Sequence, residues 1–168
     1  MSTEAGPGTA GLRIVEPGTP AEFDRYYELR WRVLRAPWDQ PRGSERDASD
    51  ASAVHLMACN PRGIPVAVAR LHFSGACQAQ VRYMAVDSDY RGQGIGRRLL
   101  DELETRALHN GVHDIVLDAR EGAVAFYERC GYRVQQPAHT LYGTIRHWRM
   151  DKQLLAPPTP NVPGAECQ

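Results

Sequence analysis

Apolar positions recur along the chain with two rhythms, one near 3.6 residues and one near 2, and these divide it into elements. The run "LRIVE" (12–16) reads as a short strand and "EPGTP" as the turn behind it. In "TPAEFDRYYELRWRVLR", Phe23, Tyr26, Tyr27, Arg30 and Leu34 fall at helical spacing. Thr19 stands at the cap, Pro20 at the first helical position and Glu22 where a capping box needs it. The β-prone runs "AVHLMAC" (53–59) and "IPVAVARLHF" (64–73) bracket Asn-Pro-Arg-Gly, a hairpin signature, and a third run, "CQAQVRYMAV" (77–86), follows. Leu99, Leu100, Leu103 and Leu108 mark the buried face of a second helix, which Gly111 stops. "HDIVLDA" (113–119) predicts a buried strand and "EGAVAFYERC" (121–130) a helix with Ala123, Tyr127 and Cys130 on one side. "GYRVQ" and "TIRHWRMDK" predict the closing strands. Strand, helix, three strands, helix, strand, helix, two strands is the order of a mixed sheet with helices on its faces.

Two kinds of segment escape the rhythm. Residues 36–52 have no apolar periodicity and read as a long loop, of a length that is often functional. Residues 1–10, small and polar, and 154–168, rich in proline, predict flexible ends around one domain spanning 11–153.

Composition narrows the classes of partner. At 168 residues with 42% hydrophobic residues, the chain can bury a single real core. A formal net charge of zero argues against nucleic acid, whose partners carry a basic surplus. The 19 arginines against one lysine, Lys152, accompany many Ala and Gly and read as codon bias. Cys59, Cys77, Cys130 and Cys167 have no paired spacing and read as reduced thiols. No apolar run approaches the ~20 residues of a membrane span, so the expectation is a cytoplasmic protein with no membrane partner. His109 and His113 are four apart but straddle Gly111, so a helical metal pair is not expected, nor is any other metal site.

The chemistry concentrates in "VDSDYRGQGIGRRLLDEL" (86–103), where Gly92, Gly94 and Gly96 crowd against a helix start. A strand end, a glycine-rich turn and a helix start form a geometry that holds phosphate, because the first N–H groups of the helix have no partner and the dipole favours an anion. A P-loop would need Gly-Lys-Ser/Thr, and no lysine is present here. The dinucleotide fingerprint would need a third glycine where Arg97 stands. The other reading is a helix cap with glycines for tight packing.

"YRGQGIGRRLL" resembles the R/Q-x-x-G-x-G/A loop of the GNAT superfamily of acyl-CoA-dependent N-acyltransferases, with Arg91, Gly94 and Gly96 at its defined positions. A second match in register is "LDAREGAVAFYERCGY" (117–132), similar to the family's A-x-x-F-Y-x-x-x-G-Y/F signature. "GTIRHWRM" and "LRWRVLR" also resemble the ElaA-like branch. The resemblance implies the GNAT fold, an α/β arrangement whose mixed, mostly antiparallel sheet of about seven strands is flanked by helices and splayed between strands four and five. It implies acetyl-CoA as cosubstrate, with the pyrophosphate held by the main chain of Arg91, Gly92, Gln93, Gly94, Ile95, Gly96 and Arg97. An N–H among Met84, Ala85 and Val86 would polarise the thioester carbonyl, an oxyanion-hole role, and Arg120 and Phe126 would add coenzyme contacts.

The implied reaction is N-acetyl transfer by direct attack of a neutral primary amine, on a small molecule or a peptide, and such folds are often homodimers. Tyr127 matches the tyrosine that protonates the departing thiolate; an ordinary phenol, with a pKa near 10, still holds its proton at neutral pH. A core tyrosine is the competing reading. Gln80 stands where several members carry a glutamate base, which keeps open a second function, an acyl-CoA-binding regulatory module with little turnover. His72 and His147 are alternative bases by residue type, with structural roles as the competing reading. Glu45 and Asp47 would attract a cationic acceptor or simply face solvent, Arg30, Arg32 and Arg35 read as an exposed helix face, and Cys130 as a buried helix cysteine.

Overall fold

The computed structural model describes residues 8–155. The expected loose ends therefore lie mostly outside the described residues, although Leu154 is buried and its N–H donates to the His113 carbonyl at 2.7 Å.

Seven strands form one sheet in the order β1-β2-β3-β4-β5-β7-β6. They are β1 (Arg13–Val15), β2 (Val54–Cys59), β3 (Pro65–Phe73), β4 (Gln78–Val86), β5 (Asp114–Arg120), β6 (Arg133–Leu141) and β7 (Ile145–Gln153). β4 and β5 are parallel, whereas β1 runs antiparallel to β2, β5 to β7 and β6 to β7. Three helices accompany them: α1 (Pro20–Leu34), α2 (Ile95–His109) and α3 (Val124–Arg129). The predicted order and the mixed, mostly antiparallel sheet are both present.

Local chemistry accounts for the boundaries. Glu22 N–H donates to Thr19 Oγ1 at 3.2 Å, and Glu22 Oε2 accepts from the N–H groups of Thr19 and Gly18 at 3.0 and 2.7 Å. Those amides hold the Glu22 carboxyl below its ordinary range and start α1 where the capping box predicts. Asn60 Oδ1 accepts from Arg62 and Ile64 N–H, both at 3.0 Å, and so turns β2 into β3. α2 buries Leu99, Leu100 and Leu103 completely. The Gly111 N–H closes on the Leu108 carbonyl at 3.0 Å.

Three expectations are corrected. β6 extends well past "GYRVQ" to Leu141, because it is an exposed edge strand with no alternation to read. Residues 36–52 include two 3-10 turns, at Ala36–Trp38 and Ala48–Ser52, the second capped by the Asp47 carboxylate. Cys59 and Cys130 are free and buried, but Cys77, in the turn between β3 and β4, is disulfide-bonded, a pairing that spacing does not encode.

The described residues form two compact units. The first holds β1, α1, β2, most of β3, the end of β4 and the start of α2, around a core of Tyr26, Tyr27, Leu29, Leu34, Met57, Cys59, Val68 and Ala85. The second holds the start of β4, the end of α2 and everything from β5 onward. Inside the second unit lies a polar knot. Lys152 Nζ donates to both Glu104 oxygens at 3.0 and 3.1 Å and to the Cys130 carbonyl at 2.9 Å. Tyr132 Oη donates to Glu104 Oε1 at 3.0 Å. Burial and the adjacent Glu104 charge push the Tyr132 phenol far up, so it stays a donor. Replacing Lys152 with Met leaves the Glu104 carboxylate short of its countercharge. Because this pair is only partly buried, the expected loss is ~2 kcal/mol, below the 3–5 of a fully buried pair, read from a urea midpoint.

Candidate active site

β4 ends at Val86, a 3-10 turn spans Ser88–Tyr90, and α2 starts at Ile95. The turn is built on Asp87. Its N–H donates to the Val66 carbonyl at 2.8 Å, one carboxylate oxygen accepts from Asp89 N–H at 3.1 Å, and the other from Arg32 Nη2 at 2.9 Å. Arg91 Nε reaches back to the Val86 carbonyl at 3.3 Å and ties the turn to the strand end.

Gly92 and Gly94 have φ of +74° and +78°, conformations in which a side chain is strained, and a Cβ on either would meet nothing within 4 Å. Gly96 is helical, so the three glycines do not share one purpose. Gly94, directly before the helix, has no side chain with which to cap α2. Among the described residues, none of the N–H groups from Gly92 to Arg97 donates to another protein group, whereas Arg98 N–H already closes on the Gly94 carbonyl at 3.1 Å. Six successive donors are thus left over. Arg91 and Arg97 are exposed beside them, and the first turn carries no acid. That arrangement suits a polyanion.

The second group of predicted residues sits where β5 passes into α3. Arg120 ends β5 opposite His147 of β7, and Phe126 and Tyr127 lie in α3. Tyr127 is 8% exposed, its ring edge-on to Phe126 at 5.0 Å and to Tyr132 at 5.8 Å. Burial first, and the Cys130 thiol second, push its phenol above the usual range, so it keeps its proton.

Gln80, at the position of the relatives' glutamate base, lies in β4 opposite Val116, and the candidate base His72 lies near the end of β3. His147 is buried and stacks on His139 with centroids 4.4 Å apart. Its Nδ1 faces the Ile145 carbonyl at 2.9 Å, so that nitrogen carries the proton and Nε2 keeps the lone pair. Burial lowers its pKa and favours the neutral ring.

The helix-face and loop readings need correction. Arg30 is fully buried and Arg35 nearly so; only Arg32 is exposed. Glu45 is also buried, and Asp47 is engaged by Arg70, so neither is a solvated loop charge. These residues belong to a polar cluster that periodicity did not reveal. Arg30 Nη1 donates to Asp50 Oδ1 at 2.9 Å and to the Glu45 carbonyl at 3.0 Å, and its Nη2 to Tyr26 Oη at 2.7 Å. Arg70 Nη1 bridges Asp47 and Asp50 at 2.6 and 2.8 Å. Beside them His55 Nε2 donates to the Asp50 carbonyl at 2.8 Å, and Nδ1 accepts from Tyr26 Oη at 2.9 Å. The one available signal was Arg30 itself, placed on the apolar stripe between Tyr27 and Leu34.

Burial alone would raise both aspartate pKa values, but the Arg70 and Arg30 guanidiniums and local N–H groups win, holding Asp47 at about 2 and Asp50 below its ordinary value. Because the folded values are depressed, this stability is complete above pH ~4, the unfolded carboxylate value, and is lost as pH falls toward 2. Asp50→Asn should cost ~2 kcal/mol at pH 7 by urea denaturation and flatten the dependence between pH 4 and 2.

The model of the "Acetyltransferase (GNAT) family" matches residues 23–132. A Bacillus subtilis (strain 168) protein provisionally named an acetyltransferase is 28% identical over 130 residues, covering 76% of this chain and 86% of that protein. Among solved structures, a provisionally named N-acetyltransferase from Lactobacillus plantarum aligns with a TM-score of 0.77 at 26% identity, over 86% of this chain and 99% of that one. An aminoglycoside 6'-N-acetyltransferase complexed with coenzyme A aligns at 0.71 and 18% identity, over 88% and 99%. Escherichia coli ElaA aligns at 0.71 and 19%, over 84% and 98%; these last two likenesses show the fold alone.

Proposed function

The chain belongs to the acetyltransferase (GNAT) family, and from that premise we propose that it transfers an acetyl group from acetyl-CoA to a primary amine by direct attack. The observation that carries the proposal is the run of six unsatisfied N–H donors from Gly92 to Arg97, flanked by Arg91 and Arg97. It fits a diphosphate in sign, in donor number and in the open space at Gly92 and Gly94.

Bound there, acetyl-CoA supplies an activated acetyl thioester. Main-chain N–H groups of Gly92, Gln93, Gly94, Ile95, Gly96 and Arg97 hold the diphosphate, with Arg120 and Phe126 as further contacts. Residues 84–86 present an N–H to the acyl carbonyl. Tyr127 Oη, protonated across the working pH range, donates to the sulfur as it departs. The acceptor must arrive neutral. Gln80 cannot take its proton, whereas His147 Nε2 has the lone pair for the task. Among the described residues no helix is long and apolar enough to cross a membrane. The acceptor is a small-molecule or peptide amine; the aminoglycoside enzyme's name illustrates the former class.

Gln80 also favours a second reading, an acyl-CoA-responsive module of the same fold. Coenzyme A should raise the melting temperature under both. Thiol release from acetyl-CoA over a panel of primary amines separates them: release above the hydrolysis background supports the enzyme, and binding without release supports the module.

A further inference from the structure

Tyr83 is the only non-glycine with positive φ inside a strand among the described residues, at +53° in β4. An aromatic residue does not hold a left-handed conformation unaided; its surroundings must impose it. Here they do so from several sides. The guanidinium carbons of Arg30, Arg70 and Arg35 lie 4.2, 4.8 and 5.6 Å from the ring centre. Tyr83 Oη donates to Asp47 Oδ2 at 3.2 Å, and Arg70 fixes that same carboxylate through both of its oxygens. Arg30 and Arg70 have no solvent exposure, so the cationic side of the cage lies in the interior, while Asp47 is partly exposed.

The residues that follow are 84–86, the main chain to which the proposed function assigns the acyl carbonyl. In an extended strand, successive N–H groups point to alternate sides; one left-handed residue breaks that alternation and re-aims the groups after it. We infer that the Arg30–Arg70–Asp47 cage is a positioning device, which by holding Tyr83 left-handed aims one main-chain N–H among residues 84–86 at the acyl carbonyl. The inference rests on the proposed acetyl transfer. Tyr83 and its cage are positioning residues and touch no reacting atom.

Three variants separate positioning from packing. Tyr83→Phe keeps the ring between the guanidiniums and should lose no more than ~5-fold in kcat. Tyr83→Val disfavours positive φ and should lose at least ~30-fold, with the coenzyme A Kd within ~3-fold of wild type. Tyr83→Gly removes more packing than Val but adopts the left-handed backbone freely, so it should melt below Val and yet turn over ~10-fold faster. A packing role predicts the opposite order, with Gly the slowest. That order, or wild-type kcat in Tyr83→Val, overturns the inference.

A second measurement does not depend on turnover. Amide 15N–1H signals of residues 84–86 should shift when acetyl-CoA replaces coenzyme A, lose that response in Tyr83→Val and regain it in Tyr83→Gly. If wild type releases no thiol with any amine, the proposed turnover falls and these amide responses still judge the cage. If they are absent in wild type, or survive in Tyr83→Val, the cage does not aim the main chain.

Discussion

Gly94→Glu is expected to weaken coenzyme A binding at least 1000-fold, ~4 kcal/mol, by isothermal calorimetry. Three costs add. The carboxylate places a negative charge among donors arranged for an anion and beside the start of α2. Its bulk fills the open space a diphosphate would enter. The backbone at φ +78° strains under any side chain by about 1 kcal/mol, which disturbs the spacing of the six N–H groups. Charge-assisted hydrogen bonds are worth ~1.5–3 kcal/mol each, so losing two of them suffices. Gly63→Glu is the matched control. Gly63 has φ +75° and equally open surroundings but sits in the β2–β3 turn, so it bears the same backbone cost while the Kd should stay within ~3-fold. If Gly94→Glu binds as wild type does, the diphosphate is not held by this main chain. Gly94→Ala should fall between, near 10-fold, because it brings the backbone strain without the charge.

Local chemistry makes part of the fold and of the site legible in the sequence. The capping box at Thr19 and Glu22, the Asn-Pro-Arg-Gly turn and the leucines of α2 act over a few residues, and each produced its element where expected. The glycine-rich turn was legible for the same reason, although Gly96 proved helical where Gly92 and Gly94 are left-handed. The polar cluster was not legible. A charged residue is exposed by default, and Arg30 departs from that rule because Asp50, 20 positions away, and Tyr26 accept from its two Nη groups in the interior. Asp47 reaches Arg70 across 23 positions and Tyr83 across 36, distances over which a single sequence carries no pairing signal. Nor does any residue pattern announce a left-handed tyrosine. β6 escaped for a simpler reason: an edge strand exposed on nearly every residue shows no period. What acts through hydrogen bonds to near neighbours could be read, and what acts through distant burial could not.

Tyr127→Phe is expected to lower kcat ~100-fold while the coenzyme A Kd and the melting temperature stay close to wild type. The substitution removes one oxygen and keeps the ring against Phe126 and Tyr132, so packing is retained. Burial raises the phenol pKa and makes Tyr127 a weak acid, so its contribution is a protonated donor held at a thiolate as charge develops, in surroundings where that charge has little water. The sign for pH follows. A raised pKa keeps the donor form through the unfolded value near 10, so Tyr127 imposes no basic limb on kcat below pH ~9. The variant's profile should therefore lie lower with an unchanged shape across that range. The same burial favours the folded state below pH ~10, where the phenol is neutral in both states, and this stability declines as pH rises and the unfolded phenol ionises first. A fall in coenzyme binding that matches the fall in kcat would make Tyr127 a core residue. A wild-type kcat in the variant would hand the proton to another group. Only a rate loss at constant affinity, with the pH shape intact, leaves the buried phenol as the donor to the leaving sulfur.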